Sequence, residues 1–190
     1  YGGDWIDTVT NADAFCANGV VWADRTPSSR AVQMRYDHQQ VNFYPVNDDG
    51  SAKNDYTVTD KTLKFKVVNE YENTDLSAFN ITWTLKADTA VLGSGRLELN
   101  TASMVGTPAA NDFSVDFGSE IVTITLPDVT PKAGVNYLLN FSVENKVRPD
   151  WDTSVWKYDY VVAYDQFDLT PADLERTALT LDTMNAFTTL

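Results

Sequence analysis

A single cysteine and a single histidine in 190 residues set the first limits on this chain. Cys16 excludes an internal disulfide, and one cysteine with one histidine cannot supply the four ligands of a usual zinc cage. Cys16 therefore reads as a small buried hydrophobe. Basic residues are also scarce, 14 against 27 acidic, which leaves a formal charge of −13. A surface of that sign repels a nucleic-acid backbone or an anionic membrane, while neutral and cationic partners stay open. No apolar run approaches the roughly 20 residues of a membrane-spanning helix, and the first residues lack the basic and then apolar pattern of a secretory leader. The remaining composition, 43% hydrophobic and 12% aromatic, is that of a globular, soluble chain able to bury one good core.

What the sequence does have is alternation with a period of two, which places every second side chain on one face of a strand. In "TLKFKVV" Leu63, Phe65 and Val67 alternate with lysines, and in "AFNITWTLK" Phe79, Ile81, Trp83 and Leu85 alternate with Asn80, Thr82 and Thr84. "VNYLLNFSVE" sets Tyr137, Leu139, Phe141 and Val143 against Asn136, Asn140, Ser142 and Glu144, and "IVTITLP" ends on Pro127. With "QQVNFYPV", "AVLGSGRLEL" and "YVVAYDQFDL" the count reaches about seven, separated by breaks such as "NDDGSAKND" and "VTPKAG". The pattern predicts an all-β fold, an immunoglobulin-like antiparallel β-sandwich of about seven strands. One short helix is expected in "TPSSRAVQMRYDHQQ", with Thr26 or Ser28 as its cap and Pro27 in its first turn. Residues 101–120 read as a long loop or irregular hairpin.

"YGGDW" with the following "DT" at 1–8, "FCANGVVWADRTP" at 15–27, "HQQ" at 38–40 and "VAYDQFDL" at 162–169 resemble a large β-galactosidase of glycoside hydrolase family 2. The resemblance implies three parts. Residues 1–36 correspond to the C-terminal remnant of the catalytic (β/α)8 barrel, 37–170 to the immunoglobulin-like sandwich that is domain 4 of the family, and 171–190 to a linker and the start of the C-terminal β domain. For the intact enzyme it implies retaining hydrolysis of terminal β-D-galactosides by two glutamates on earlier barrel strands. This stretch is then a non-catalytic fragment with no catalytic or substrate-binding residue of its own, and its partners are the other domains of the parent chain and further copies in a homo-oligomer.

The resemblance also implies sodium and magnesium as ions of the intact enzyme. The main-chain oxygen of Phe15 and the amide oxygen of Asn18 correspond to sodium ligands near the galactose, and both are the hard oxygen donors such an ion requires. The site is incomplete here, because a further ligand comes from a different domain. Asp4 and Asp7 lie near the barrel end and read as loop carboxylates that accept backbone hydrogen bonds. His38 matches the "HQQ" that leads into the sandwich and reads as structural. Trp5, Phe15 and Trp22 need cover, so residues 1–25 are expected to pack on the sandwich or on a second copy. The aromatic group Trp151, Trp156, Tyr158, Tyr160 and Tyr164 supports an alternative, a carbohydrate-binding module with an exposed aromatic platform.

Overall fold

The computed structural model describes residues 19–22, 24–99, 118–146 and 161–172. The chain separates into two compact units, Tyr1–Gln39 and Gln40–Leu190. In the first, an isolated bridge between Val21 and Pro27 closes a short turn. Trp22 N–H donates to the Thr26 carbonyl at 2.9 Å and Arg25 N–H to the Trp22 carbonyl at 2.8 Å. Helix α1 follows over Ser29–Asp37. Ser28 occupies its N-cap position, yet its hydroxyl donates to the Val20 carbonyl at 2.8 Å, so no side chain caps the first turn. Pro27 lies outside the helix, as a partner of the bridge. Ser28 thus joins the helix start to the preceding turn, which corrects the expectation of a capping serine and an N-terminal proline.

The second unit holds seven strands: β1 Val41–Val46, β2 Thr62–Asn69, β3 Phe79–Ala87, β4 Ala90–Leu97, β5 Gly118–Thr125, β6 Tyr137–Asn145 and β7 Val161–Asp168. Each falls in a stretch where the alternation predicts a strand, and β5 takes its first residues from the end of the expected loop. They form two antiparallel sheets, a three-stranded one in the order β1-β2-β5 and a four-stranded one in the order β4-β3-β6-β7. In a constant-type immunoglobulin domain the fourth strand joins the sheet of the first two. Here a two-residue turn at Asp88 and Thr89 returns β4 directly onto β3. Asp88 takes φ 50°, the left-handed conformation that such a tight hairpin turn needs. Pro45 lies in β1, an outer strand of its sheet, where a missing ladder donor is tolerated.

The core lies between the sheets and is made by the alternating residues. Leu63, Phe65 and Val67 of β2, Ile81 and Leu85 of β3, and Leu139, Phe141 and Val143 of β6 are all buried. Four phenylalanines cross the gap. Phe43 stacks on Phe141 with ring centroids 4.3 Å apart, Phe65 meets Phe141 edge-on at 4.9 Å, and Phe167 completes the group at 5.0 Å from Phe65. Two of these rings come from each sheet.

Trp83 is also buried, and its indole lies across β4, whose facing positions carry no side chain. Trp83 pairs directly with Gly95 in the ladder. A Cβ on Gly95 would stand 2.5 Å from Trp83 Nε1, and one on Gly93 would stand 3.2 Å from Pro127 Cδ. Glycine is required there by close approach. Replacing Gly95 with alanine is expected to cost about 1–3 kcal/mol through overpacking. Phe141→Ala, which opens a cavity in the aromatic joint, is expected to cost about 3–5 kcal/mol. Urea unfolding reads both, and a Gly95→Ala loss below about 0.5 kcal/mol would show that the indole moves aside freely.

Candidate functional site

Retaining glycoside hydrolysis needs two carboxylates about 5 Å apart, one of them held protonated as the acid. The carboxylates whose titration is displaced in the described residues go the other way. Asp24 is held below the usual range by the Thr26 hydroxyl and then the Thr26 amide, and Asp49 by the same two groups of Ser51. Asp75 is lowered first by the Ser77 amide, which donates to it at 2.7 Å. All three close Asp-x-Ser or Asp-x-Thr turns, in which donors from two residues on stabilise the charged form. Such groups shape loops and make poor proton donors. The spacing that marks them, at 24–26, 49–51 and 75–77, is readable in the sequence although the strand pattern passes over it.

Of the residues singled out by sequence, Asp4, Trp5, Asp7, Phe15, Cys16, Asn18, Trp151, Trp156, Tyr158 and Tyr160 lie outside the described residues. Gly19, next to Asn18, takes φ 114°, the glycine conformation of a turn. Trp22 is 46% exposed. His38 is exposed and closes α1, its backbone N–H donating to the Met34 carbonyl at 3.1 Å. Tyr164 is half-buried on β7, opposite Ser142 of β6. Among the described residues no group of three or more His, Cys, Asp or Glu is placed to hold a metal ion.

One cleft of about 480 Å³ lies beside the β1–β2 loop and is lined by Val46, Asn47, Asp48, Asp49, Lys53 and Lys64 among others. Its charges are engaged with their neighbours. Lys64 Nζ lies 3.0 Å from Asp48, Lys53 Nζ lies 3.8 Å from Asp55, and Asp49 accepts from both donors of Ser51. A smaller cleft of about 280 Å³ lies beside Asp60, Lys61 and Asp128, where Lys61 and Asp128 are 3.7 Å apart. These contacts tie loops together.

Comparison with known families matches residues 65–170, more than half of the chain, to "Beta-galactosidase, domain 4". The chain belongs to that family. The β-galactosidase domain 4 match begins within β2 and runs past the end of β7. A β-galactosidase of Priestia megaterium is 29% identical over 169 residues, 89% of this chain and 14% of the relative. One of Halalkalibacterium halodurans is 35% identical over 77 residues, 40% of this chain and 8% of that protein. One of Clostridium acetobutylicum is 28% identical over 129 residues, 66% of this chain and 12% of the relative. The chain therefore spans about a seventh or less of the length of these β-galactosidases, as one domain-sized part of a larger protein.

Two tyrosines of the sandwich titrate late. Tyr71 stacks on Phe79 at 5.4 Å, and its burial pushes the phenol above the ordinary value of 10.0. Tyr56 meets Phe167 edge-on at 6.3 Å and is raised by burial first, then by the charges of Asp165 and Asp168. A phenol whose folded pKa lies above its unfolded one binds its proton more tightly in the folded state. Its contribution to stability is complete below pH 10 and is lost as pH rises through the folded value. Absorbance at 295 nm should accordingly show two tyrosines ionising above pH 10, with the unfolding midpoint falling over the same interval. If every tyrosine ionises near pH 10 in the folded state, both rings are wetter than the stacking implies.

Proposed function

We propose that this chain is the part of a glycoside hydrolase family 2 β-galactosidase that joins the catalytic barrel to the C-terminal β domain. Bond cleavage is done elsewhere in the parent protein. The observation that carries this reading is the domain 4 match over a module whose displaced carboxylates are spent on turns. In the parent, terminal β-D-galactosides are hydrolysed with retention by two glutamates that precede this stretch. Residues 1–36 complete the barrel, 37–170 form the connector, and 171–190 lead into the next domain.

The sodium and magnesium implied for the parent belong to the same reading. Asn18 and the main chain of Phe15 offer two hard oxygen donors for sodium, and the turn at Gly19 follows them directly. Two oxygens are fewer than such an ion takes, so the remaining ligands come from other domains of the parent. The role of this chain is to present those two atoms at the end of the barrel.

A chromogenic β-galactoside tests the proposal in two steps. The 190-residue chain alone is expected to give no turnover above buffer, whereas the full-length parent hydrolyses the same compound with retention at the anomeric carbon. Activity of the isolated chain that survives repurification and disappears in Asp4→Asn or Asp7→Asn would place the active site here and overturn the reading.

A further inference from the structure

The sequence contains a single Asp-Gly step, Asp49-Gly50, and it lies at the tip of the hairpin that follows β1. An aspartate before a glycine can react with its own backbone, because the glycine nitrogen reaches the side-chain carbon with no Cβ to hinder it. The loop here is tight. Gly50 N–H donates to the Asn47 carbonyl at 3.0 Å, Asn47 N–H donates to the Ser51 carbonyl at 2.8 Å, and Val46 bridges Ala52. Gly50 takes φ 83°, the left-handed residue that closes a three-residue hairpin loop. Asp49, Gly50 and Ser51 are all exposed, so water reaches the reacting atoms.

Ser51 opposes that reaction. Its hydroxyl donates to Asp49 Oδ1 at 2.6 Å and its backbone N–H donates to the same oxygen at 2.9 Å. The hydroxyl oxygen accepts in turn from the Asn47 side-chain amide at 3.0 Å. The Ser51 hydroxyl first, and then its amide, hold the Asp49 carboxyl ionised below the usual carboxylate range. Ring closure needs that carboxyl protonated, since its oxygen departs as water. It also needs the proton of the Gly50 nitrogen, which is engaged with Asn47.

We propose that Asp49-Gly50 is a self-modification site, where aspartate isomerises to isoaspartate, and that the Ser51 hydroxyl is the guard that slows it. The Gly50 nitrogen bonds to Asp49 Cγ, the Cγ–OH bond breaks, and the amide hydrogen leaves with the hydroxyl as water. A five-membered imide remains. Water then reopens it: cleavage of the nitrogen from Cγ restores aspartate, and cleavage from the main-chain carbonyl leaves the side chain in the backbone. Nothing is oxidised or reduced, and the final mass is unchanged. The extra main-chain atom lengthens a loop whose two backbone hydrogen bonds fit three residues. This chemistry does not depend on what the parent protein hydrolyses.

Incubation of the 190-residue chain at neutral pH, followed by peptide mapping with electron-transfer fragmentation, reads isoaspartate at residue 49. The Asn18-Gly19 step forms isoaspartate by losing ammonia and gaining water, so its product is heavier and falls in a different peptide. Residue 49 is expected to convert slowly in the native chain and about fivefold faster in Ser51→Ala, the factor for one lost hydrogen bond. The wild-type chain unfolded in urea should convert faster still. Ser51→Thr, which keeps the hydroxyl, should age at the wild-type rate, and Asp49→Glu should give no product. Should Ser51→Ala unfold the chain, Ser51→Cys supplies the comparison with a weaker donor of similar shape. A serine variant no faster than wild type, a native rate equal to the unfolded one, or an unfolded chain without isoaspartate at residue 49 overturns the proposal.

Discussion

The contact between Phe43, Phe65, Phe141 and Phe167 is the joint on which the sandwich depends. Two sheets can share a core only if their inner side chains interdigitate across about 10 Å, and aromatic rings span that distance with few degrees of freedom to lose. Phe141 lies at the centre, stacked on Phe43 and edge-on to Phe65 and Phe167, so both sheets are registered against one ring. Leu63, Leu85, Leu139 and Ile124 then fill the space around it, each buried almost completely. Their alternation with polar neighbours follows from where the joint fixes the sheets. A slip of one residue in β6 would turn Phe141 outward and put Asn140 in its place.

A second constraint acts at the β4 edge. An outer strand with bulky inward residues would hold Trp83 away, and instead Gly93 and Gly95 let the indole lie flat on the backbone. Pro127, just beyond β5, reaches Gly93 from the other sheet, so the same two glycines seat a ring from β3 and a ring from the β5 end. Gly93 and Gly95 weaken β4 as a strand in isolation, because glycine loses more backbone freedom on ordering than other residues. The buried indole offsets that cost. Leu97, farther along β4, returns to an ordinary inward side chain.

Much of the fold is legible in the sequence because its signals are local. Phe79 to Leu85 and Tyr137 to Val143 alternate without interruption, and the structure buries those residues. β4 is less legible, since "AVLGSGRLEL" reads as a strand with a weak middle, and the reason for the glycines is an indole from the neighbouring strand. Ser28 shows a similar limit. Its residue type suits a helix cap, and a carbonyl eight residues earlier claims the hydroxyl instead. The family was legible from short blocks such as "FCANG" and "VAYDQFDL", and the domain 4 match over 65–170 agrees with it. The candidate ligands Phe15 and Asn18 rest on those blocks alone. Pairing of Tyr44, Lys66 and Ile121 into one row could not be read either, since it arises from register between strands up to 77 positions apart.

The path of the chain through the sandwich has a consequence for distance. Val41 opens β1 opposite Asn69, the last residue of β2, while Leu169, just after β7, accepts from Val58, shortly before β2 begins. The chain therefore enters at one end of the strands and leaves at the other, about 25–30 Å away at the usual rise per residue. The module behaves as a ruler with coarse graduations. A single residue inserted within a strand would reverse which side chains face inward beyond it, so insertions in steps of two, near 6.6 Å, keep the core intact. Whatever precedes Val41 and whatever follows Leu169 can be moved apart during evolution by those increments, or by changing the chain outside the strands.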